Sequence, residues 1–304
     1  MMANAGHRSR LPAASIALAF VLASCHSPDS TKSNVRAPRD DFGVVIDVPR
    51  FPRRIVSLNP TTTEVLFAIG ASSRLVGRSQ WDVFPDSARF VPSVGQALRP
   101  NIEAVVAVHP DLVLLYASAD NRAAFDRLRQ SGITAVAFKI DSVEQFVRDT
   151  RLIGAMTGDS VRAASLADSV QATLARVRAA TASLVHPTVF VLAWDKPIIA
   201  VGGGSFLTEL LEVAGAHNVY ADISAPSGPV TLEDVVRRNP EIVLAAPEFV
   251  ATMRSSPSWR TVPAIRKGRL MAFDTLLVGR PSATLGAAAV SLAELLHPGA
   301  LRRQ

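Results

Sequence analysis

Short apolar runs alternate with helical patterns over the first half of the chain. The apolar runs lie at residues 55–58, 75–76, 112–115 and 135–138, with helical patterns at 61–70, 102–108 and 123–130. Thr61 and Glu64 have the spacing of a helix-capping box, in which the glutamate reaches back to the first turn. The alternation predicts strands joined by helices, and hence a parallel α/β lobe.

A long helical segment follows at residues 142–183, which contain no proline and carry apolar residues at helical spacing. Gly158 and Asp159 are its weak point, where the helix either breaks or begins again. From Asp159 to Ser183 a helix extends about 37 Å, the span of a domain. The alternation of strands and helices then restarts. The sequence therefore predicts two Rossmann-like α/β lobes with parallel sheets, joined by a single long α-helix.

These patterns set the expected domain boundaries. We assign residues 53–141 to the N-terminal lobe, 142–183 to the linking helix and 184–304 to the C-terminal lobe. Residues 25–52 are rich in Ser, Pro, Asp and Arg and lack apolar periodicity, so they are expected to form a flexible tether.

The N-terminus has the layout of a secretory signal peptide over residues 1–24. The apolar run from Leu11 to Leu22 would reach only about 18 Å as a helix, too short to span a bilayer. It ends in Leu22-Ala-Ser-Cys25, which resembles the lipobox of bacterial lipoproteins. That resemblance implies cleavage before Cys25, lipidation of its thiol and a periplasmic or otherwise extracytoplasmic protein anchored to a membrane. Cys25 is the only cysteine, so an intramolecular disulfide is excluded.

One segment of the first half recurs in the second. Asn101-Ile-Glu-Ala-Val-Val-Ala-Val-His-Pro-Asp-Leu-Val-Leu is echoed by Thr231-Leu-Glu-Asp-Val-Val-Arg-Arg-Asn-Pro-Glu-Ile-Val-Leu. The shared glutamates, Glu103 and Glu233, lie 130 positions apart, an interval of lobe size. Two lobes of similar build that each present an equivalent acid indicate a molecule that meets a two-fold symmetric partner.

Composition and charge exclude several classes of function. The formal net charge is +6, and it falls to +4 when the signal peptide with Arg8 and Arg10 is removed. No basic run with interleaved aromatic residues is present, so nucleic-acid binding is not expected. The sequence also lacks a nucleophile elbow, a phosphate loop and a His-Glu-x-x-His motif. We therefore expect neither an enzyme, nor a cofactor, nor a protein-held metal.

The first lobe carries the clearest family resemblance. Residues 54–71 (Arg-Ile-Val-Ser-Leu-Asn-Pro-Thr-Thr-Thr-Glu-Val-Leu-Phe-Ala-Ile-Gly-Ala), with Pro92-Ser-Val-Gly and Asn101-Ile-Glu-Ala-Val, resemble the cobalamin- and iron-siderophore-binding proteins of ABC importers. The resemblance covers roughly residues 53–296. It implies a class III periplasmic binding protein that carries a small metal chelate between its lobes. It also implies a monomer that works with a permease dimer and its ATPase subunits.

The same resemblance gives roles to two surface acids. Glu103 and Glu233 match the glutamates that dock into arginine pockets of the permease. Paired carboxylate–guanidinium contacts are short and directional, so two of them far apart would fix an orientation. Each acid also suits the first turn of a helix, whether or not it docks.

Four further residues are candidates for the ligand cleft. Trp81 and Tyr116 match aromatic positions of the first lobe, and Tyr116 directly follows a predicted strand, where parallel sheets bind ligands. Trp194 ends the first strand of the second lobe and is the natural opposing wall. Arg280 matches a basic residue ahead of the last helix, where it can hydrogen-bond a ligand amide, carboxylate or phosphate. Each aromatic can instead be partly buried packing.

The identity of the ligand stays open at this stage. A cobalamin or related corrinoid leads, although Ser227–Pro229 stands where cobalamin binders often carry a tryptophan. A ferric siderophore or haem is the alternative, with Arg99 and Arg280 as candidate cleft cations. The loop Gly202-Gly-Gly-Ser205 is either an anion-binding cradle or a tight turn. A metal-binding or adaptor lipoprotein is the more distant interpretation.

Overall fold

The computed structural model describes residues 37–48, 51–275 and 279–302. Cys25 and the predicted signal peptide lie outside these residues, so both stay predictions. Within the described part of the chain, no helix combines the length and apolarity needed to cross a membrane.

Four parallel strands form the sheet of the first lobe. They are β1 (Ile55–Leu58), β2 (Leu75–Arg78), β3 (Leu112–Tyr116) and β4 (Thr134–Phe138), in the order β2-β1-β3-β4. Helices α1 (Pro60–Ala68), α2 (Ile102–Ala107) and α3 (Ala119–Gln130) connect them. The central strands β1 and β3 are buried almost throughout, which explains why they read as continuous apolar runs. This is the predicted α/β lobe.

The helical segment predicted over residues 142–183 forms two helices. They are α4 (Val143–Thr157) and α5 (Ser160–Thr181). Gly158 ends α4 in the left-handed conformation, with φ of 79°, which glycine adopts without steric cost. The two helices lie side by side, since Arg151 and Asp168 approach to 2.5 Å. The break left open at Gly158 and Asp159 is therefore real: the single long helix that links the lobes is α5, 22 residues or about 33 Å long, whereas α4, also assigned to the linking helix, is a separate helix.

The sheet of the second lobe combines parallel and antiparallel pairs. Its strands are β5 (Thr188–Trp194), β6 (Ile199–Val201), β7 (His217–Asn218), β8 (Ser227–Pro229), β9 (Ile242–Ala245) and β10 (Leu270–Ala272). The predicted parallel arrangement holds for β10, β9 and β5, whereas β6 pairs antiparallel with both β5 and β8. A short loop joins β5 to β6, and a connection of that length forms a hairpin rather than a crossover.

A shared core holds the two lobes together. Helices α6 (Phe206–Val213), α7 (Leu232–Arg238), α8 (Pro247–Ser255), α9 (Pro263–Arg266) and α10 (Leu285–Leu296) complete the second lobe. The linking helix α5 packs against α4 on one side and against α6 and α10 on the other. One hydrophobic cluster runs from Leu114 in β3 through Val170 in α5 to Leu244 in β9. The chain from residue 37 onward accordingly forms one compact unit.

Residues 37–48, predicted as part of the flexible tether, are packed on the first lobe. The Asp40 carboxylate accepts hydrogen bonds from two amides of its own turn and, at 3.2 Å, from the amide of Ala137 in β4. The Asp41 amide donates to the Ala137 carbonyl at 2.9 Å, and its carboxylate accepts from the Lys139 amide at 2.6 Å. These bonds satisfy the free side of β4, which is an edge strand. The tether prediction is wrong for residues 37–48. The segment is held by carboxylates rather than by apolar side chains, so its sequence shows no hydrophobic periodicity.

We expect Asp40→Ala to lower the free energy of unfolding by about 1–3 kcal/mol, because it leaves three backbone amides beside the edge of β4 without their hydrogen-bond acceptor. Urea denaturation measures the change. Asp47→Ala is the matched control: Asp47 is exposed in the same segment, and its loss should stay within about 0.5 kcal/mol. Equal effects of the two substitutions would contradict a docked N-terminal segment.

Candidate functional site

Two adjoining cavities lie at the carboxyl ends of the strands. The first measures about 360 Å³ and has walls from both lobes, whereas the second measures about 320 Å³ and lies within the second lobe. They share walls at Ser205, Phe206, Pro226 and Gly279. Open α/β sheets bind ligands at this end of their strands, so we treat the two cavities together as the cleft.

Tyr116 ends β3 and lines the first cavity, as the sequence predicted. Its hydroxyl donates a hydrogen bond of 2.7 Å to the Asp141 carboxylate, which also lines this cavity. Burial, together with the negative charge of Asp141, raises the pKa of the Tyr116 phenol above its usual range. The phenol is therefore held neutral as a hydrogen-bond donor and offers its ring to the cleft.

Arg280 also lines the first cavity, but its charge is already matched. Its guanidinium forms an ion pair with Glu64 of α1, with Nε 2.9 Å from Oε1 and Nη2 in contact with the same oxygen. The Glu64 side chain is 2% exposed and that of Arg280 28%. A second bond between the lobes, from the Thr61 hydroxyl to the Pro281 carbonyl at 2.8 Å, fixes the adjoining loop.

Glu64 is the site residue whose role the sequence misassigned. The capping-box prediction is wrong, because Asn59 caps α1 by accepting a hydrogen bond from the Thr61 amide at 3.0 Å. Glu64 instead faces Arg280, which lies 216 positions further along the chain. The available signal was an acid ahead of the apolar run Val65–Ala68, and nothing local to it identifies a partner so distant.

Buried polar groups surround this ion pair. Burial raises the pKa of Glu64, and the Arg280 guanidinium opposes that rise by favouring the carboxylate. Burial likewise raises the pKa of nearby Asp82, against hydrogen bonds from the hydroxyls of Ser79 at 2.7 Å and Thr63 at 2.8 Å. Two buried acids therefore lie close together behind the cleft wall, and Arg280 compensates one of them directly.

Trp194 ends β5 and forms a wall of the second cavity, as predicted. Its ring is 55% exposed and packs edge-on against Phe249 at 5.6 Å between centroids. Its indole N–H donates to the carbonyl of Lys196 at 3.1 Å, which fixes the orientation of the ring. Phe273 lines the same cavity, so this part of the cleft is aromatic.

Trp81 does not join the other three candidates in either cavity. It follows β2 and is 61% exposed, with its backbone amide donating to the Ser79 hydroxyl at 3.2 Å. Its predicted role as a ligand contact stays a prediction.

The glycine loop at residues 202–205 is a tight turn and not an anion cradle. The amides of Gly202, Gly203 and Gly204 donate to the carbonyls of Pro226, Ile223 and Ala225, respectively. A Cβ at Gly203 would lie 2.1 Å from the carbonyl oxygen of Ala221. Glycine is therefore required by the close approach of two backbone segments, and the amides needed for an anion are already used.

The repeated segment folds in the same way in both lobes. Asn101 and Thr231 cap α2 and α7 with their side chains, and Glu103 and Glu233 occupy the same exposed position in the first turn. In each segment a residue in the left-handed conformation at φ of 47° follows the helix and precedes a proline, first His109 and then Asn239. Among the described residues, Asp234 pairs with neighbouring arginines, whereas neither Glu103 nor Glu233 enters an ion pair. Both carboxylates are thus available to a partner.

Comparison with known proteins places the chain in a family. Residues 55–275 match the family model described as periplasmic binding protein. An uncharacterised ABC transporter substrate-binding lipoprotein of Bacillus subtilis is 27% identical over 96% of this chain and 98% of its own length.

Solved structures share the fold at low identity. The periplasmic vitamin B12 binding protein of Vibrio cholerae superposes with a TM-score of 0.73 at 22% identity, over 84% of this chain and 99% of that one. A periplasmic haem-binding protein from Roseiflexus gives 0.72 at 24% identity, over 82% of this chain and 99% of that one. These likenesses confirm the two-lobed architecture predicted from the sequence. The chain therefore belongs to the periplasmic binding protein family, which consists of transport proteins rather than enzymes.

Proposed function

We propose that this protein is the extracytoplasmic substrate-binding protein of an ABC importer, anchored by a lipid on Cys25. It captures cobalamin or a related corrinoid in the cleft and delivers it to a dimeric permease. The observation that carries the choice of ligand is the state of Tyr116. Its hydroxyl is committed to Asp141 at 2.7 Å inside a cavity that both lobes line.

Iron in haem takes an axial ligand from the protein that holds it, usually a histidine, cysteine, methionine or tyrosinate. Among the described residues that line the cleft, Tyr116 is the one side chain of this kind. Its bond to Asp141 and its raised pKa disfavour the tyrosinate form that would bind iron. A corrinoid supplies the equatorial ligands of its cobalt and can supply an axial one, so it needs aromatic walls and hydrogen-bond donors more than a protein ligand.

The walls of the cleft suit a large ligand with flat apolar faces and polar arms. Trp194, Phe249 and Phe273 offer ring surfaces in the second cavity. The first cavity adds hydrogen-bonding groups on Asn59, Thr61 and Asp141. This mixture of apolar area and a few oriented polar groups is typical of small-molecule sites.

The two exposed glutamates support delivery to a symmetric permease. Glu103 and Glu233 stand at equivalent positions of α2 and α7, each on the helix that precedes a central strand of its lobe. Arginine pockets on two identical permease subunits would meet one acid from each lobe, through charge-assisted hydrogen bonds. The pairing sets the orientation of the docked protein without involving the cleft.

Titration of the purified mature protein with cyanocobalamin should show binding in the micromolar range or tighter, which corresponds to at least about 8 kcal/mol. Trp194→Ala should weaken it by about 1.5–3 kcal/mol, roughly tenfold or more, because the substitution removes an aromatic wall. Calorimetry or corrinoid absorbance measures both. Phe51→Ala, an exposed aromatic that lies beside Gly158 at the junction of α4 and α5, is the control and should leave affinity unchanged.

Parallel titrations with haemin and a ferric siderophore decide the alternative. Tight binding of either, together with no detectable corrinoid binding, would overturn the proposed ligand while leaving the transport role intact. Absence of binding for all three classes would contradict the transport role as well.

The double substitution Glu103→Ala and Glu233→Ala should abolish uptake in cells, or in vesicles carrying the permease, with ligand affinity unchanged. The matched control is Asp86→Ala with Glu212→Ala, which removes one exposed acid from each lobe at non-equivalent positions. Loss of ligand affinity in the first pair would show instead that these acids serve the cleft.

A further inference from the structure

The charges around the cleft are unevenly distributed. Arg280 is the one basic side chain among the described residues lining either cavity, and Asp141 and Glu248 are acidic members of the same walls. The other cation suggested by the sequence, Arg99, is largely exposed and paired with Asp120 through two bonds of 2.7 and 2.9 Å. Whether the positive charge of Arg280 is compensated therefore decides whether the cleft can attract an anion.

Glu64 cancels that charge from the opposite lobe. Both Nε and Nη2 of the guanidinium bond the same Glu64 oxygen, which leaves Nη1 without a partner among the described residues. Glu64 is almost fully buried behind the cavity wall and does not line the cavity itself. Arg280 thus presents the ligand with the free N–H groups of a neutral pair, two on Nη1 and one on Nη2, rather than with a full positive charge.

An anion entering such a site loses its hydration without gaining an unpaired cation. The carboxylates of Asp141 and Glu248 repel such an anion further. A neutral ligand with amide or hydroxyl arms loses less hydration, and its oxygens can still accept hydrogen bonds from the free N–H groups of Arg280. The same arrangement tolerates a cationic chelate, whose charge the cleft acids favour.

We propose that Glu64 determines the charge specificity of the cleft: by neutralising Arg280, it restricts the ligand to metal chelates without net negative charge. The inference rests on the cleft being the ligand site, as in the proposed function. Glu64 is a positioning residue in this role, since it acts through Arg280 and does not touch the ligand. Replacing it with glutamine keeps the size and a hydrogen bond but leaves the guanidinium charge uncompensated.

The test compares two ligands that differ by one charge: cyanocobalamin and its monocarboxylic derivative, in which one propionamide is hydrolysed to the acid. Wild-type protein should bind the acid at least about tenfold more weakly than the amide. In Glu64→Gln the amide-to-acid affinity ratio should fall on the order of tenfold, because Arg280 now attracts the carboxylate in a partly buried site. Affinity for the neutral ligand should change little.

Two further variants distinguish a specific effect from a general one. Asp82→Asn removes a neighbouring buried acid without releasing Arg280, and its amide-to-acid ratio should stay within about threefold of wild type. Glu64→Gln combined with Arg280→Gln removes both charges and should return the ratio to the wild-type value. An unchanged ratio in Glu64→Gln, or an equal change in Asp82→Asn, would overturn the proposal.

A second readout works without any corrinoid. Citrate should raise the Tm of Glu64→Gln, since the released Arg280 binds the anion, and it should leave the Tm of wild type and of the double variant unaffected. An equal citrate response in wild type, Glu64→Gln and the double variant would contradict the proposed role of Glu64 in charge specificity. If wild type binds neither corrinoid, the proposed ligand fails, while the citrate series still decides the role of Glu64.

Discussion

The packing of α5 against both lobes is the constraint on which the site depends. Each sheet has a core of its own on one face, and a third hydrophobic cluster runs from β3 through Val170 of α5 to β9, so the lobes share one core across the linking helix. With the sheets fixed in this way, the carboxyl ends of their strands face a common cleft. That placement allows Arg280, just before α10, to reach Glu64 on α1, a contact that neither lobe can form alone.

Strand positions and the internal repeat could be predicted because both are local. The central strands β1 and β3 are buried nearly throughout, so each appears as a nearly unbroken apolar run. The α2 and α7 segments each keep a capping side chain, a glutamate two positions later and a buried valine. The break at Gly158 was visible as a weak point, but its consequence was not. Whether a helix continues or folds back depends on what packs against it, and here α4 and α5 pack on each other.

The candidate site was predictable only in part, for the same reason. Tyr116 and Trp194 could be placed because each ends a strand, and strand ends are readable from the sequence. The partner of Arg280 could not, because it lies 216 positions away and Glu64 already had a plausible local role. Residues 37–48 were missed because Asp40 and Asp41 complete the edge of β4 with carboxylate oxygens, which follow no hydrophobic period.

The ion pair between Arg280 and Glu64 has a mechanical consequence as well as an electrostatic one. Spreading the lobes would withdraw the guanidinium and leave a carboxylate buried without its counter-charge, at a cost of about 3–5 kcal/mol. Thermal fluctuation alone populates such an opened state at well under one part in a hundred. The contact that pairs these two charges therefore also holds the lobes against spontaneous separation.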